Sequence, residues 1–447
     1  MLPLQTAAAG LPPGGSRSFG RRPSSASRAR LGRLFDAPHR LGFFAGALMM
    51  ALLALWWGAA LLARHAGVLL PWAVAPSTAH GLAMGFGFMP LFFTGFLFTA
   101  GPRWLGLEPV PAARLAVPVA VMLLGWALAL TGFHFSSALA ALGLGAAAMG
   151  LALATGLFGL MLLDSRERQP ELDRDHAWLV LLGCLVCVLA VWTAAVAVAL
   201  GRDGIARAAL QGGLWAGLCL VFVVVAHRMI PFFSSAALPA LDAWRPRALL
   251  GLLAGLVLLQ APLAAAEALL GADLPMPLLA VRAVLELCGG ALLLWLALRW
   301  GLVQSLGHGP AMRLLAMLHL GFFWLGLAFV LGGASHGLML ASEGRLSLGL
   351  APLHALTMGY LGSTLLAMAT RVAAGHSGRT LAADNWAWMM FWVLQAGIVA
   401  RLAAALWPAM ATPLTLFAAQ CWLAALGAWA LRYGRWFLRP RADGRPG

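Results

Sequence analysis

Two short strings place an imidazole and a thioether four residues apart inside apolar sequence: His80-Gly-Leu-Ala-Met84-Gly85 and His354-Ala-Leu-Thr-Met358-Gly359. On a helix that spacing puts both side chains on one face, one turn apart. A histidine in hydrocarbon costs free energy unless it is hydrogen-bonded or ligating, so each is a candidate functional group. Imidazole suits haem iron, copper and zinc; thioether sulfur suits Cu(I) or a haem axial position. The pairs read either as histidine-ligated haem with methionine packed on the porphyrin, or as mixed His/Met copper ligation. The plainer alternatives are methionine as core filler, of which the chain has 18 in all, and histidine bonded to a nearby carbonyl.

The elements that carry these residues must be membrane helices. The 447 residues are 62% hydrophobic and only 10% charged, with a mean hydropathy of +0.87. That excludes an ordinary soluble globule. A net charge of +15 invites a nucleic-acid reading, but the arginines lie between apolar runs and at the two ends, so no nucleic-acid partner is expected. Runs of about 20 apolar residues, the length that crosses a bilayer core, occur near 41–63, 74–100, 113–133, 136–163, 177–200 and 207–227. A second group lies near 247–270, 277–299, 312–334, 347–370, 386–406 and 411–433.

Arginine placement tests that count of twelve. With the N-terminus cytoplasmic, twenty-four of the thirty arginines fall in cytoplasmic segments. Four (Arg64, Arg202, Arg207 and Arg345) fall outside, and Arg282 and Arg401 lie within spans. Such asymmetry supports an all-α polytopic protein of about twelve transmembrane helices with both termini cytoplasmic, set among membrane lipids. Residues 1–34 read as a disordered Arg/Pro/Ser-rich cytoplasmic tail. Residues 35–437 read as the twelve-helix domain, and 438–447 as a short basic tail. The run from Leu41 to Ala63 is longer than a signal-peptide core and shows no convincing cleavage site, so it reads as a retained first span.

On this topology His80 and His354 begin spans that run inward, so both occupy the outer leaflet at similar depth, as two axial ligands of one haem require. His336, His134 and His65 lie near the same surface. His319 sits in the inner half of the ninth span, and His227 and His376 near the cytoplasmic ends. Glycines follow both motifs (Gly85 and Gly87, Gly359 and Gly362) and suit close approach of either a helix or a flat macrocycle. Arg282 and Glu286 stand at i,i+4 and neutralise each other; a proton path through Glu267 or Glu286 has no further support in the sequence. Arg103, Arg228 and Arg371 end spans on the inner face, where positive-inside placement explains them and pairing with an anionic group such as a propionate is the alternative. Cys184 and Cys187, at i,i+3 in apolar sequence, read as small packing residues, and no disulfide framework is implied.

Four blocks resemble the NnrS family of bacterial haem- and copper-containing membrane proteins, associated with nitric oxide metabolism in denitrifiers. The first is His80-Gly-Leu-Ala-Met84-Gly-Phe-Gly-Phe-Met-Pro with Gly95-Phe-Leu-Phe-Thr-Ala-Gly-Pro-Arg-Trp104. The second is Arg228-Met-Ile-Pro-Phe-Phe233, and the third His319-Leu-Gly-Phe-Phe-Trp324. The fourth is Leu353-His354-Ala-Leu-Thr-Met358-Gly, running on to Thr370-Arg371-Val-Ala-Ala-Gly375-His376-Ser-Gly378-Arg379. The resemblance implies a b-type haem and a role in relieving nitric oxide or nitrosative stress, with nitric oxide or a related small molecule as the partner. It points to His80, His354, His319, His376, Met84, Met358 and Arg371 around the cofactor, and to His80, His354, His319 and His227 as metal ligands. One departure matters. The family's first block commonly reads His-x-His-Glu-Met, whereas Leu82 and Ala83 stand here at the second His and the Glu. That weakens the expectation of copper.

Two other classes remain open at this point. A haem-copper oxidase-like or nitric-oxide-reductase-like catalytic subunit is also twelve-helical, but its usual adjacent His-His pair is absent from this chain. A polytopic solute or metal transporter predicts an internal repeat of its halves. The short His-x-x-x-Met-Gly repeat falls in the second and tenth spans, which are not equivalent positions of two six-helix halves.

Overall fold

Backbone amides and carbonyls find no water in hydrocarbon, so a chain this apolar must close its hydrogen bonds within helices. The computed structural model describes residues 30–271 and 274–444, and among them every regular element is helical. The expected N-terminal tail lies mostly outside the described residues. The chain is an all-α, polytopic membrane protein.

Among the described residues eleven helices are long and apolar enough to cross a membrane. They are α1 (Pro38–His65), α2 (Pro76–Trp104), α3 (Ala112–Phe135), α4 (Ser137–Arg168), α5 (Asp175–Ala199), α6 (Asp203–Ala237), α7 (Arg247–Leu270), α8 (Met276–Arg299), α9 (Pro310–Ala341), α11 (Asn385–Leu406) and α12 (Pro408–Phe437). The twelfth expected span is present as α10, residues 351–376, in three continuous pieces: Ala351–His354, Ala355–Gly362 and Ser363–His376. It misses the apolarity of the others because His354, Thr357, Tyr360, Ser363, Thr364 and Thr370 interrupt it. The span expected to hold a site is thus the most polar of the twelve.

Packing follows the small residues, because lipid is as apolar as leucine and helices associate in it by close contact. The α3–α4 hairpin shows this. Ser136 alone separates the two helices and caps α4 by accepting a hydrogen bond from the Leu139 amide. A Cβ added at Gly125, Gly132, Gly143 or Gly150 would stand under 3 Å from the facing backbone. Cys184 and Cys187 are free, buried thiols on α5, and Cys187 lies against Gly217 of α6. They pack.

Both helices that carry the His-x-x-x-Met strings are irregular. α2 breaks after Phe86 and restarts at Met89, with Pro90 in the first turn of the second piece, where its missing N–H is tolerated. α10 widens into a π-helix from Ala355 to Gly362, directly after His354. A second π segment, Gly213–Cys219, lies in α6. Such segments are rare and concentrate at functional sites.

Candidate functional site

His80 enters from the first piece of α2, which is pinned two residues earlier. The buried Thr78 hydroxyl donates to Asp203 Oδ1 at 2.6 Å, fixing the start of α2 to the start of α6. The imidazole stacks on Trp57 of α1, with ring centroids 4.1 Å apart and planes 23° from parallel. His80 Nδ1 is shut off from solvent and has no hydrogen-bond partner. A buried ring nitrogen left that way is uncommon and calls for an explanation.

His354 enters from the first turn of α10. It is buried, and its Nδ1 lies 2.9 Å from the Leu350 carbonyl. A carbonyl oxygen only accepts, so Nδ1 carries the proton and Nε2 presents a bare lone pair. That is the arrangement of a metal-ligating histidine, with the second ring nitrogen held by a backbone carbonyl. His80 and His354 lie within electrostatic reach of each other, and Arg401 of α11 lies within reach of both. Arg401 makes no ion pair among the described residues. Two imidazoles and an unpaired guanidinium therefore converge at the arginine-poor end of the bundle.

The two glycine readings separate here. Gly85 faces Leu214 and Leu218, Gly87 faces Leu53, Gly359 faces Trp324 and Gly362 faces Trp422. Each makes room for a side chain of a neighbouring helix. Met84 and Met358 are half-buried and pack against the apolar core. Met358 sits within the widened turns, so it is displaced from the strict α-helical line through His354.

Toward the arginine-rich end the bundle forms a half-open cavity of about 60 Å³ lined by Phe43, Phe92, Phe93, Phe222, Met368 and Thr364 among others. The volume exceeds what one water needs, but a lining this apolar stays dry. The Thr364 hydroxyl and, nearer His354 on α10, the Tyr360 hydroxyl are buried without hydrogen-bond partners. Tyr360 lies between Phe222 and Phe322. The available signal was its rarity: it is one of two tyrosines in the chain.

The other histidines differ. His319 is fully buried, with Nε2 3.0 Å from Ser234 Oγ and Nδ1 2.9 Å from Ser305 Oγ. Both nitrogens are occupied, so it ties α6 and the short helix Leu302–Gly307 to α9. His227 Nδ1 lies 3.0 Å from His176 Nε2, and its Nε2 faces the Pro246 carbonyl at 3.3 Å. His376 packs on His39 with ring centroids 4.3 Å apart. Arg371 stacks over Phe233 at 3.8 Å, and Arg228 over Trp104 at 5.0 Å. These residues stand toward the arginine-rich end, so His319, His227, His376 and Arg371 do not join His80 and His354. His134, expected near the same surface as His80, has both nitrogens engaged, donating to the Pro71 carbonyl and accepting from Trp56 Nε1.

A family model described as NnrS protein matches residues 33–441, nearly the whole chain. The chain belongs to the NnrS family. Its departure at Leu82 and Ala83 falls on two fully buried positions of α2, so the second histidine and the glutamate of the common motif are replaced by apolar packing. A search of curated proteins finds no match. Membership makes this a membrane protein of the nitric oxide response in general.

Proposed function

We propose that this NnrS-family chain binds haem at its arginine-poor end and uses it to relieve nitric oxide or nitrosative stress. The observation that carries the reading is the His80–His354 pair: one buried nitrogen without a partner and one imidazole held by a backbone carbonyl so that its Nε2 lone pair is free. These residues fit the group. His354 would be the preorganised ligand and His80 a second, less anchored one, and Arg401 would neutralise a propionate. When bound, haem iron supplies a site for a diatomic gas. The protein's own part is to orient the imidazoles and to cover His80 with the Trp57 ring. With Leu82 and Ala83 in place of ligands, copper is not part of the proposal. The arginine asymmetry supports an outward-facing ligand end, and family membership supports a bacterial inner membrane.

The oxidase-like alternative calls for further ligands at this depth. Among the described residues no group of three or more His, Cys, Asp or Glu side chains is arranged to hold a metal ion, so no specific observation favours it. The test is the reduced-minus-oxidised visible spectrum of detergent-purified protein from haem-replete cells, with metal analysis and with nitric oxide added. A haem spectrum that shifts with nitric oxide is expected. Protein without haem overturns the reading and moves a transporter to first place.

A further inference from the structure

A second polar cluster lies in the membrane away from His80 and His354, in the outward-facing ends of α7, α8 and α9. Arg282 Nη1 contacts Glu267 Oε2 at 2.5 Å and Arg282 Nε contacts Glu286 Oε1 at 3.0 Å. His336 lies between the two carboxylates: Nδ1 is 2.7 Å from Glu286 Oε2, and Nε2 is 3.8 Å from Glu267 Oε1. The side chains of Arg282, Glu286 and His336 are 7%, 4% and 6% exposed, whereas that of Glu267 is 39% exposed. Gly332, one turn before His336, admits the Glu286 carboxyl, because a Cβ there would stand 2.8 Å from Glu286 Oε2.

Charge counting sets what this cluster holds. Two carboxylates against one guanidinium leave one negative charge, which low-dielectric surroundings penalise heavily. One proton brings the described groups to neutrality, whether it rests on His336 or on Glu286. A metal cation is disfavoured by Arg282 in the same cluster. An apolar substitute of similar volume stabilises a buried site as well or better, so packing does not account for an ionisable imidazole held between two acids.

We propose that Glu267, His336 and Glu286 form a proton-binding relay, loaded from the aqueous side through Glu267 and neutralised by Arg282. Hydronium protonates the accessible Glu267 carboxylate and leaves water. Glu267 passes that proton to His336 Nε2, across a gap that a small side-chain movement or one water closes. His336 releases its Nδ1 proton to Glu286 Oε2, and the imidazole returns to neutral as the other tautomer. The net change is one proton moved from water to a buried carboxylate, with no electron transfer. The charged groups that face His336 from the packed helices are Glu267 on α7 and Arg282 and Glu286 on α8. The relay does not depend on haem.

The test is nitrogen NMR of histidine-labelled protein in lipid nanodiscs, with the His336 signal assigned by its loss in His336→Gln. His319, whose nitrogens are both held by serines, serves as the internal reference. In the wild type the His336 signal should pass from the Nδ1-protonated to the Nε2-protonated neutral form as the pH falls from about 9 to about 5, the range in which imidazoles titrate. Glu286→Gln, which lacks the carboxylate that takes the Nδ1 proton, should abolish that change of tautomer. Glu267→Gln should slow proton exchange at His336 by about tenfold or more, as loss of a positioned proton donor does. A His336 signal unchanged over the whole range, or one whose exchange ignores Glu267→Gln, overturns the relay. Should Glu286→Gln fail to fold, the wild-type titration and the variant at the half-exposed Glu267 still decide it.

Discussion

His354 and His319 are both buried histidines on adjacent helices, and they differ in what their ring nitrogens do. At His354 a backbone carbonyl takes one nitrogen and leaves the other with a free lone pair. At His319 two serine hydroxyls take both. A buried imidazole with both nitrogens satisfied is a structural cross-link. One held at a single nitrogen keeps a lone pair free, as the proposed haem site requires. Residue type is the same and both are buried, so under that proposal the hydrogen-bond inventory separates the ligand candidate from the strut.

The largest effect that follows is on cofactor content. His354→Ala should reduce bound haem by about tenfold or more, since loss of a ligand leaves its partner unable to hold the group alone, while His319→Leu should retain it; pyridine haemochrome analysis per mole of protein reads both. Equal loss in the two variants would erase the distinction. His319→Leu should instead lower stability by about 1–3 kcal/mol, because Ser234 and Ser305 lose their buried partner. Thermal unfolding in detergent measures this. Arg401→Gln should weaken haem retention by about tenfold, the weight of a charge-assisted hydrogen bond, without shifting the visible bands. A spectrum altered in Arg401→Gln would place the guanidinium nearer the metal than the account allows. Smallest of all, Tyr360→Phe should leave stability unchanged or raise it by up to about 1 kcal/mol, since the hydroxyl it removes is buried without a partner.

Much of this frame is legible in the chain. Apolar run length and arginine placement give the spans, including α10, whose polarity keeps it below the apolarity of its neighbours while its length still crosses. The depth agreement of His80 and His354 follows from the same count, because both lie near the start of spans that enter from one side. Other features leave no local trace. The Trp57 stack on His80 joins residues on different helices, and periodicity does not report which faces meet. Arg282 and Glu286 announce themselves at i,i+4, but Glu267 and His336 reach them only through the packing of α7 and α9 on α8. The glycines after each motif were open to two uses, and only the leucine and tryptophan side chains that fill them choose between those uses. His319 reads from sequence as a secondary ligand candidate, because nothing within its own span shows that Ser234 and Ser305 take both of its nitrogens.

The most direct test of the central claim is pulsed EPR of the oxidised protein labelled with nitrogen-15 histidine, compared with His80→Ala, His354→Ala and His319→Leu. The account predicts histidine nitrogen couplings to a haem iron that are lost in His354→Ala, altered in His80→Ala and unchanged in His319→Leu. Couplings that survive His354→Ala and disappear in His319→Leu would contradict it.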